Sequence, residues 1–125
     1  MFSRLAIATA LLLIITACGS SSSTPTNPSP TGGGGGTGTA VSIVGNAASL
    51  TTTAYAPNPV SVQVGGSVTW KNNDTIAHTS TANNGAFSSG SIAPGASFTA
   101  TFSTAGTFAY HCAFHPGMVG TVTVQ

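Results

Sequence analysis

Charge is what this sequence lacks most. Its 125 residues include two lysine or arginine side chains and one acidic side chain. Charged residues thus make up 2% of the chain, whereas a typical soluble domain has about 25%. Beyond residue 17, the charged side chains are Lys71 and Asp74. This composition excludes a basic face that binds nucleic acid and strong electrostatic steering toward a charged partner. A partner protein must therefore be met through apolar and hydrogen-bonding contacts.

A hydrophobic run long enough to cross a membrane is also missing. Residues 5–15 are almost entirely apolar, but they are too few to span a bilayer. They follow Arg4 and end at Thr16-Ala17-Cys18, the order of a secretory signal. The pattern from residue 15 to Cys18 resembles a bacterial lipobox, in which the cysteine becomes the lipidated first residue. We therefore predict a lipoprotein-type signal peptide over 1–17 and a membrane-anchored protein outside the cytoplasm. The alternative is an ordinary signal peptide in which Cys18 is incidental.

The segment that follows has almost no apolar side chain. Residues 19–39 are nearly all Ser, Thr, Pro and Gly, with consecutive glycines at 32–36. Nothing in such a segment offsets the entropy lost on ordering it. We predict a flexible linker over 18–39, with a root-mean-square reach of roughly 25 Å. It would hold a domain, 40–125, away from a membrane surface.

Cysteine is scarce, with two in the whole chain. If Cys18 carries lipid, Cys112 has no disulfide partner within the chain. A lone thiol in an oxidising compartment needs protection, which metal ligation would give. The alternative is a buried, inert cysteine.

No segment has a convincing helical period. Instead, apolar and polar residues alternate in short runs separated by glycine and proline. The inward-facing residues of these runs are predicted to be Val60, Val62, Val64, Val68, Trp70, Phe98, Phe102, Phe108, Tyr110, Cys112, Val122 and Val124. This pattern predicts an all-β, Greek-key β-sandwich over 40–125.

Seven residues near the C-terminus bring together a thiol, an imidazole and a thioether: Cys112, His115 and Met118. His78 lies upstream on a separate loop. Sulfur ligands favour Cu(I), while imidazoles keep Cu(II) bound, so these four side chains can hold one copper ion in both oxidation states. Methionine argues against the alternative of a structural zinc site.

The Cys-x2-His-x2-Met loop and the segment from Pro59 to His78 resemble the cupredoxin family of small blue copper proteins. The nearest resemblance is to the plastocyanin, pseudoazurin and amicyanin group, and the short loop spacing is most like amicyanin. The resemblance implies a type 1 copper one-electron carrier, with Met118 as the weak axial ligand. Many relatives have an asparagine after the first histidine that ties the two ligand loops together. Here that position is Thr79, which leaves open whether its hydroxyl does the same.

Two histidines could pass electrons to a partner. His115 lies on the surface loop, where Ala77, Ala113, Pro116 and Gly117 would surround it with an apolar patch. His111 adjoins Cys112 but must point to the other side of its strand. It is either a half-exposed strand residue or a second electron port.

Other functions remain open alternatives. One is a copper store or delivery protein. Another is a copper oxidase or nitrite reductase with a second metal near His111. With three histidines in total and no His-x-His pair, the sequence argues against that enzyme. We expect a monomer that is not an enzyme and that docks redox proteins through the patch at His115.

Overall fold

The computed structural model describes residues 37–125, which contain eight strands and one short 3-10 helix, Ala47–Ser49. The strands are β1 Gly38–Ile43, β2 Tyr55–Ala56, β3 Val60–Val62, β4 Ser67–Asn72, β5 Thr81–Ala82, β6 Ser97–Thr101, β7 Gly106–His111 and β8 Val119–Val124. β1 begins two residues before the predicted start of the domain at Ala40. The predicted signal peptide, the lipidation of Cys18 and the linker up to residue 36 fall outside the described residues. Within 37–125, no helix is long and apolar enough to span a bilayer.

The strands form two four-stranded sheets, in the orders β2-β1-β4-β6 and β3-β8-β7-β5. β1 runs parallel to β4, β3 runs parallel to β8, and the other pairs are antiparallel. Between β2 and β7, each successive strand lies in the opposite sheet. The predicted all-β Greek-key sandwich is therefore confirmed. This topology brings the chain after β4 close to the end of β7.

The core lies between the sheets and is rich in aromatic rings. Trp70 is fully buried, packing edge-on against Tyr110 and beside Phe87. Tyr110 in turn packs edge-on against Tyr55. Its ring covers Gly120 on β8, where a side-chain carbon would clash with it. Phe102 is buried as predicted, whereas Phe98 and Phe108 are half-buried and pack against the core.

Val64 differs from the prediction, because its side chain is 49% exposed. β3 ends at Val62, and Gly65 then adopts a φ of 84° as the chain turns toward β4. The alternation that buries Val60 and Val62 has therefore already ended at Val64. The Val64 N–H still donates to the Gln125 carbonyl at 3.1 Å, so an alternating sequence marks the strand correctly but does not show where burial stops.

Candidate metal centre

Cys112 follows directly after β7, and its side chain is completely buried. The alternation of β7 points Tyr110 and Cys112 inward and leaves His111 half-exposed on the other side. The N–H of Cys112 donates to the carbonyl of Met118 at 3.1 Å. The thiol is thus held at the end of a paired strand, away from solvent.

The loop after Cys112 is closed by its own backbone hydrogen bonds. The His115 N–H donates to the Cys112 carbonyl at 3.2 Å, and the Met118 N–H donates to the His115 carbonyl at 2.9 Å. Met118 is fully buried and His115 is half-buried. The two-residue spacings of the sequence therefore produce a compact turn that carries both residues back beside the cysteine.

His78 reaches the same place from the segment after β4. It forms an isolated antiparallel bridge with Ile92, with hydrogen bonds of 3.2 and 2.8 Å between their backbones. The buried side chain of Asn72 donates to the carbonyls of Ile76 and Ile92. His78 itself is fully buried. The segment around His78 has no regular secondary structure. It is fixed instead by its backbone bridge to Ile92 and by the hydrogen bonds from the Asn72 side chain.

Three of the four predicted ligands meet at one point. The Sγ of Cys112 lies 3.8 Å from Nδ1 of His78 and 3.7 Å from Nδ1 of His115. All three atoms lie within 4.8 Å of one another. A metal bonded at about 2.3 Å to sulfur and about 2.0 Å to nitrogen spans about 3.7 Å when the bond angle is about 120°. The donor set and its spacing therefore fit a single metal ion, and one thiolate with two imidazoles suits copper.

Thr79 ties the two ligand loops together. Its backbone N–H points at the Sγ of Cys112 at 3.3 Å. Its Oγ1 accepts a hydrogen bond from the Ala113 N–H at 2.7 Å. The question left by the sequence is thereby answered, since the threonine hydroxyl makes the link between loops. The Tyr55 hydroxyl also donates to the Thr79 carbonyl at 2.6 Å.

The imidazole of His78 is held from its far side by a carboxylate. Nε2 of His78 lies 2.9 Å from Oδ2 of Asp74. The hydrogen bond from His78, followed by that from the Thr75 N–H, holds the pKa of Asp74 well below its usual range despite its burial. Asp74 therefore accepts a hydrogen bond from the Nε2–H of His78, which leaves Nδ1 free to face Cys112. Sequence reasoning did not identify this residue, whose one signal was that it is the sole acidic residue in the chain.

His111 does not join the cluster. Its Nδ1 lies 2.7 Å from Oδ1 of Asn83, on the opposite side of β7 from the buried thiol. The prediction that it cannot share the metal of Cys112 agrees with this position. Its role as an electron port stays a prediction.

The surface near His115 is more apolar than predicted. Besides the four expected residues, Ile76 and Phe114 are 44% and 52% exposed, although both are large and hydrophobic. Ile76 lies on the loop that carries His78, and Phe114 lies on the loop that carries His115. We call this surface the apolar rim, which consists of Ile76, Ala77, Ala113, Phe114, Pro116 and Gly117. The rim contains no charged side chain.

Two packed β-sheets with a buried Cys-His-His cluster at one end define a cupredoxin-type metal protein. Residues 41–125 match the model of the family described as copper binding proteins, plastocyanin/azurin family. The chain belongs to this family. It therefore binds copper, and the predicted cofactor is confirmed.

Known proteins agree with this assignment. Plastocyanin from Scenedesmus fuscus is 37% identical over 84 residues, covering 57% of this chain and 86% of that protein. The structure of a purple cupredoxin from Nitrosopumilus maritimus matches with a TM-score of 0.64 and 32% identity, over 70% of this chain and 99% of the other. An amicyanin variant in its reduced Cu(I) form matches with a TM-score of 0.59 and 27% identity, over 70% of this chain and 82% of the other. The predicted likeness to amicyanin and plastocyanin is thus confirmed.

Proposed function

We propose that this protein is a one-electron carrier with a type 1 copper site, whose ligands are His78, Cys112, His115 and Met118. The observation that carries the proposal is the cluster of one thiol and two Nδ1 atoms already assembled by the fold. Bound copper would supply the Cu(I)/Cu(II) couple. The fold would hold the four ligands in one arrangement, so that Cu(I) and Cu(II) are bound by the same donor atoms.

Rigidity and burial favour a carrier over a copper store. A store must open to load and release its metal, which favours mobile or exposed ligands. Here Cys112, His78 and Met118 are fully buried. The backbone bonds of the loop and the Thr79 bridge hold them in place. Only His115 has a partly exposed side chain, which suits electron passage without metal release. We further propose that the protein is not an enzyme.

A redox titration of the copper-loaded protein tests the carrier role. We expect one copper per chain, and reduction and reoxidation by one electron each, with no loss of metal over repeated cycles. Release of copper on reduction would support a store or delivery protein instead. Tighter retention of Zn²⁺ than of copper would support the structural-zinc alternative.

Replacing Met118 with leucine should keep copper bound and raise the reduction potential. Met118 would supply copper with a weak thioether donor, and leucine fills a similar volume in this buried position. Removing a donor that favours Cu(II) should shift the potential upward by on the order of 59 mV, a tenfold change in relative affinity. Spectroelectrochemistry measures the shift. A lower potential, or loss of the metal, would contradict an axial role for Met118.

We also propose that the protein is anchored outside the cytoplasm through lipid on Cys18, with the domain acting as a monomer. The support is the lipobox-like sequence that ends at Cys18. Replacing Cys18 with alanine should abolish labelling by a radioactive fatty acid in a bacterial host and move the protein from the membrane to the soluble fraction. If the unmodified sequence were itself recovered unlabelled and soluble, the anchor would be ruled out.

A further inference from the structure

The one acidic side chain of this protein is buried at the metal centre. Asp74 is the sole Asp or Glu in the chain, and its side chain is nearly inaccessible to solvent. Its Oδ2 lies 2.9 Å from Nε2 of His78, whose Nδ1 faces the Sγ of Cys112. A chain with almost no charge thus places a carboxylate in direct contact with a proposed copper ligand.

The surroundings of Asp74 hold the carboxylate in one orientation. Oδ2 also accepts the Ala47 N–H at 3.0 Å, and Oδ1 accepts the Thr75 N–H at 2.7 Å. The Asp74 N–H is bound by Oδ1 of Asn72. Both oxygens therefore have donors, and the side chain has no freedom to turn away from the imidazole.

Within the described residues, 37–125, no lysine or arginine side chain forms an ion pair with this carboxylate. Among residues 37–125, the other charged side chain is Lys71, and its ammonium group donates to the Gly95 carbonyl. The one ion-pair contact of Asp74 in this range is with His78. The negative charge is therefore directed at the metal centre through the imidazole.

We propose that Asp74 is a positioning residue that fixes His78 with Nδ1 toward the metal and that lowers the reduction potential by favouring Cu(II) over Cu(I). The inference rests on the proposed copper site. A carboxylate that accepts the remote N–H of a ligand histidine fixes its tautomer and makes the ring a stronger donor.

The charge balance gives the direction of the effect. With a Cys112 thiolate and an Asp74 carboxylate, the centre is neutral with Cu(II) and carries one negative charge with Cu(I). Without the carboxylate charge, the centre carries one positive charge with Cu(II) and is neutral with Cu(I). Charges interact more strongly in a buried site than in water, so Asp74 disfavours the addition of an electron.

Two substitutions separate charge from packing. Asp74→Asn keeps an acceptor for His78 but removes the charge, whereas Asp74→Glu keeps the charge and alters the fit. For Asp74→Asn we expect about a tenfold fall in Cu(II) affinity relative to Cu(I), which corresponds to a rise of about 59 mV in potential. Asp74→Glu should lie closer to wild type. Spectroelectrochemistry of the copper-loaded full chain measures both.

Lys71→Gln is the matched control, because it removes the other charge, which does not contact a ligand. It should leave the potential near the wild-type value or lower it slightly. An unchanged potential in Asp74→Asn would overturn the proposal, as would equal rises in Asp74→Asn and Asp74→Glu, which would indicate packing alone. A wild-type protein that fails to bind copper would instead overturn the copper site itself.

A measurement on the unmodified chain covers the case in which Asp74→Asn does not fold. Because there is one acidic side chain, its carbon is the single side-chain carboxyl carbon in the ¹³C NMR spectrum of the Cu(I) protein. We expect the chemical shift of an ionised carboxylate at neutral pH and a slowly exchanging Nε2–H on His78. A protonated carboxyl, or a rapidly exchanging Nε2–H, would overturn the proposal.

Discussion

Replacing Cys112 with serine should abolish the intense visible colour of the oxidised protein. In the proposed site, charge transfer from the Cys112 thiolate to Cu(II) would produce that colour, and a serine hydroxyl would not replace the thiolate. The thiol is fully buried between two imidazole Nδ1 atoms at 3.7 and 3.8 Å. No other cysteine occurs among residues 37–125. The effect should therefore be complete, as measured by the absorption spectrum after oxidation of copper-loaded protein.

His111→Ala is the matched control for this experiment. It alters the residue bonded to Cys112, but its side chain contacts Asn83 on the other side of the strand. The control should keep the full colour. Colour that survives in Cys112→Ser, or disappears in His111→Ala, would show that the ligand assignment is wrong.

Replacing Gly117 with aspartate should slow electron exchange between copies of the protein by at least about tenfold at low salt. Gly117 lies in the apolar rim, and a side-chain carbon there would meet no other atom within 4 Å. The new carboxylate should therefore leave the ligands and the spectrum unchanged. When two rims meet, however, two like charges are brought together, which strongly disfavours docking. Exchange can be measured by NMR line broadening in mixtures of the two oxidation states.

Salt dependence and a distant control strengthen this test. The wild-type rate should respond weakly to salt, because the rim has no charge. The Gly117→Asp rate should rise with salt, since the Debye length falls to about 10 Å at 0.1 M. Val64→Asp adds the same charge at an exposed apolar position outside the rim and should have little effect. Fast exchange in Gly117→Asp, combined with slow exchange in His111→Ala, would instead place the electron port at His111.

The parts of the site that depend on local spacing could be predicted from the sequence. Cys112, His115 and Met118 lie on one closed turn, so their separation along the chain determines their proximity. Alternation along β7 also determined that His111 points away from Cys112. His78 lies 34 residues from Cys112, and its assignment depended on the scarcity of histidine and on the family resemblance. The β-sandwich followed from the alternating runs and the absence of a helical period.

Features that depend on tertiary packing could not be predicted. Asp74 and His78 are four residues apart in a segment without regular structure, where spacing does not determine which side chains meet. Their contact depends on the Asn72 bridge and on the N–H of Ala47, which begins the short 3-10 helix 27 residues earlier in the chain. Ile76 and Phe114 are large hydrophobic residues that a composition rule would bury, yet the ligand loops expose them. The end of β3 before Val64 likewise depends on the course of the chain between the sheets.

The electron self-exchange rate of the unmodified, copper-loaded protein tests the central claim most directly. A rigid site with an uncharged docking surface should exchange electrons at a rate constant on the order of 10⁵ M⁻¹s⁻¹, near the association rate of proteins without electrostatic steering. The NMR lines of residues near His115 should then broaden as Cu(II) protein is added to Cu(I) protein. Cu(I)-protein lines that keep their width as Cu(II) protein is added, with mixing of the two forms over minutes or longer, would contradict the role of an electron carrier.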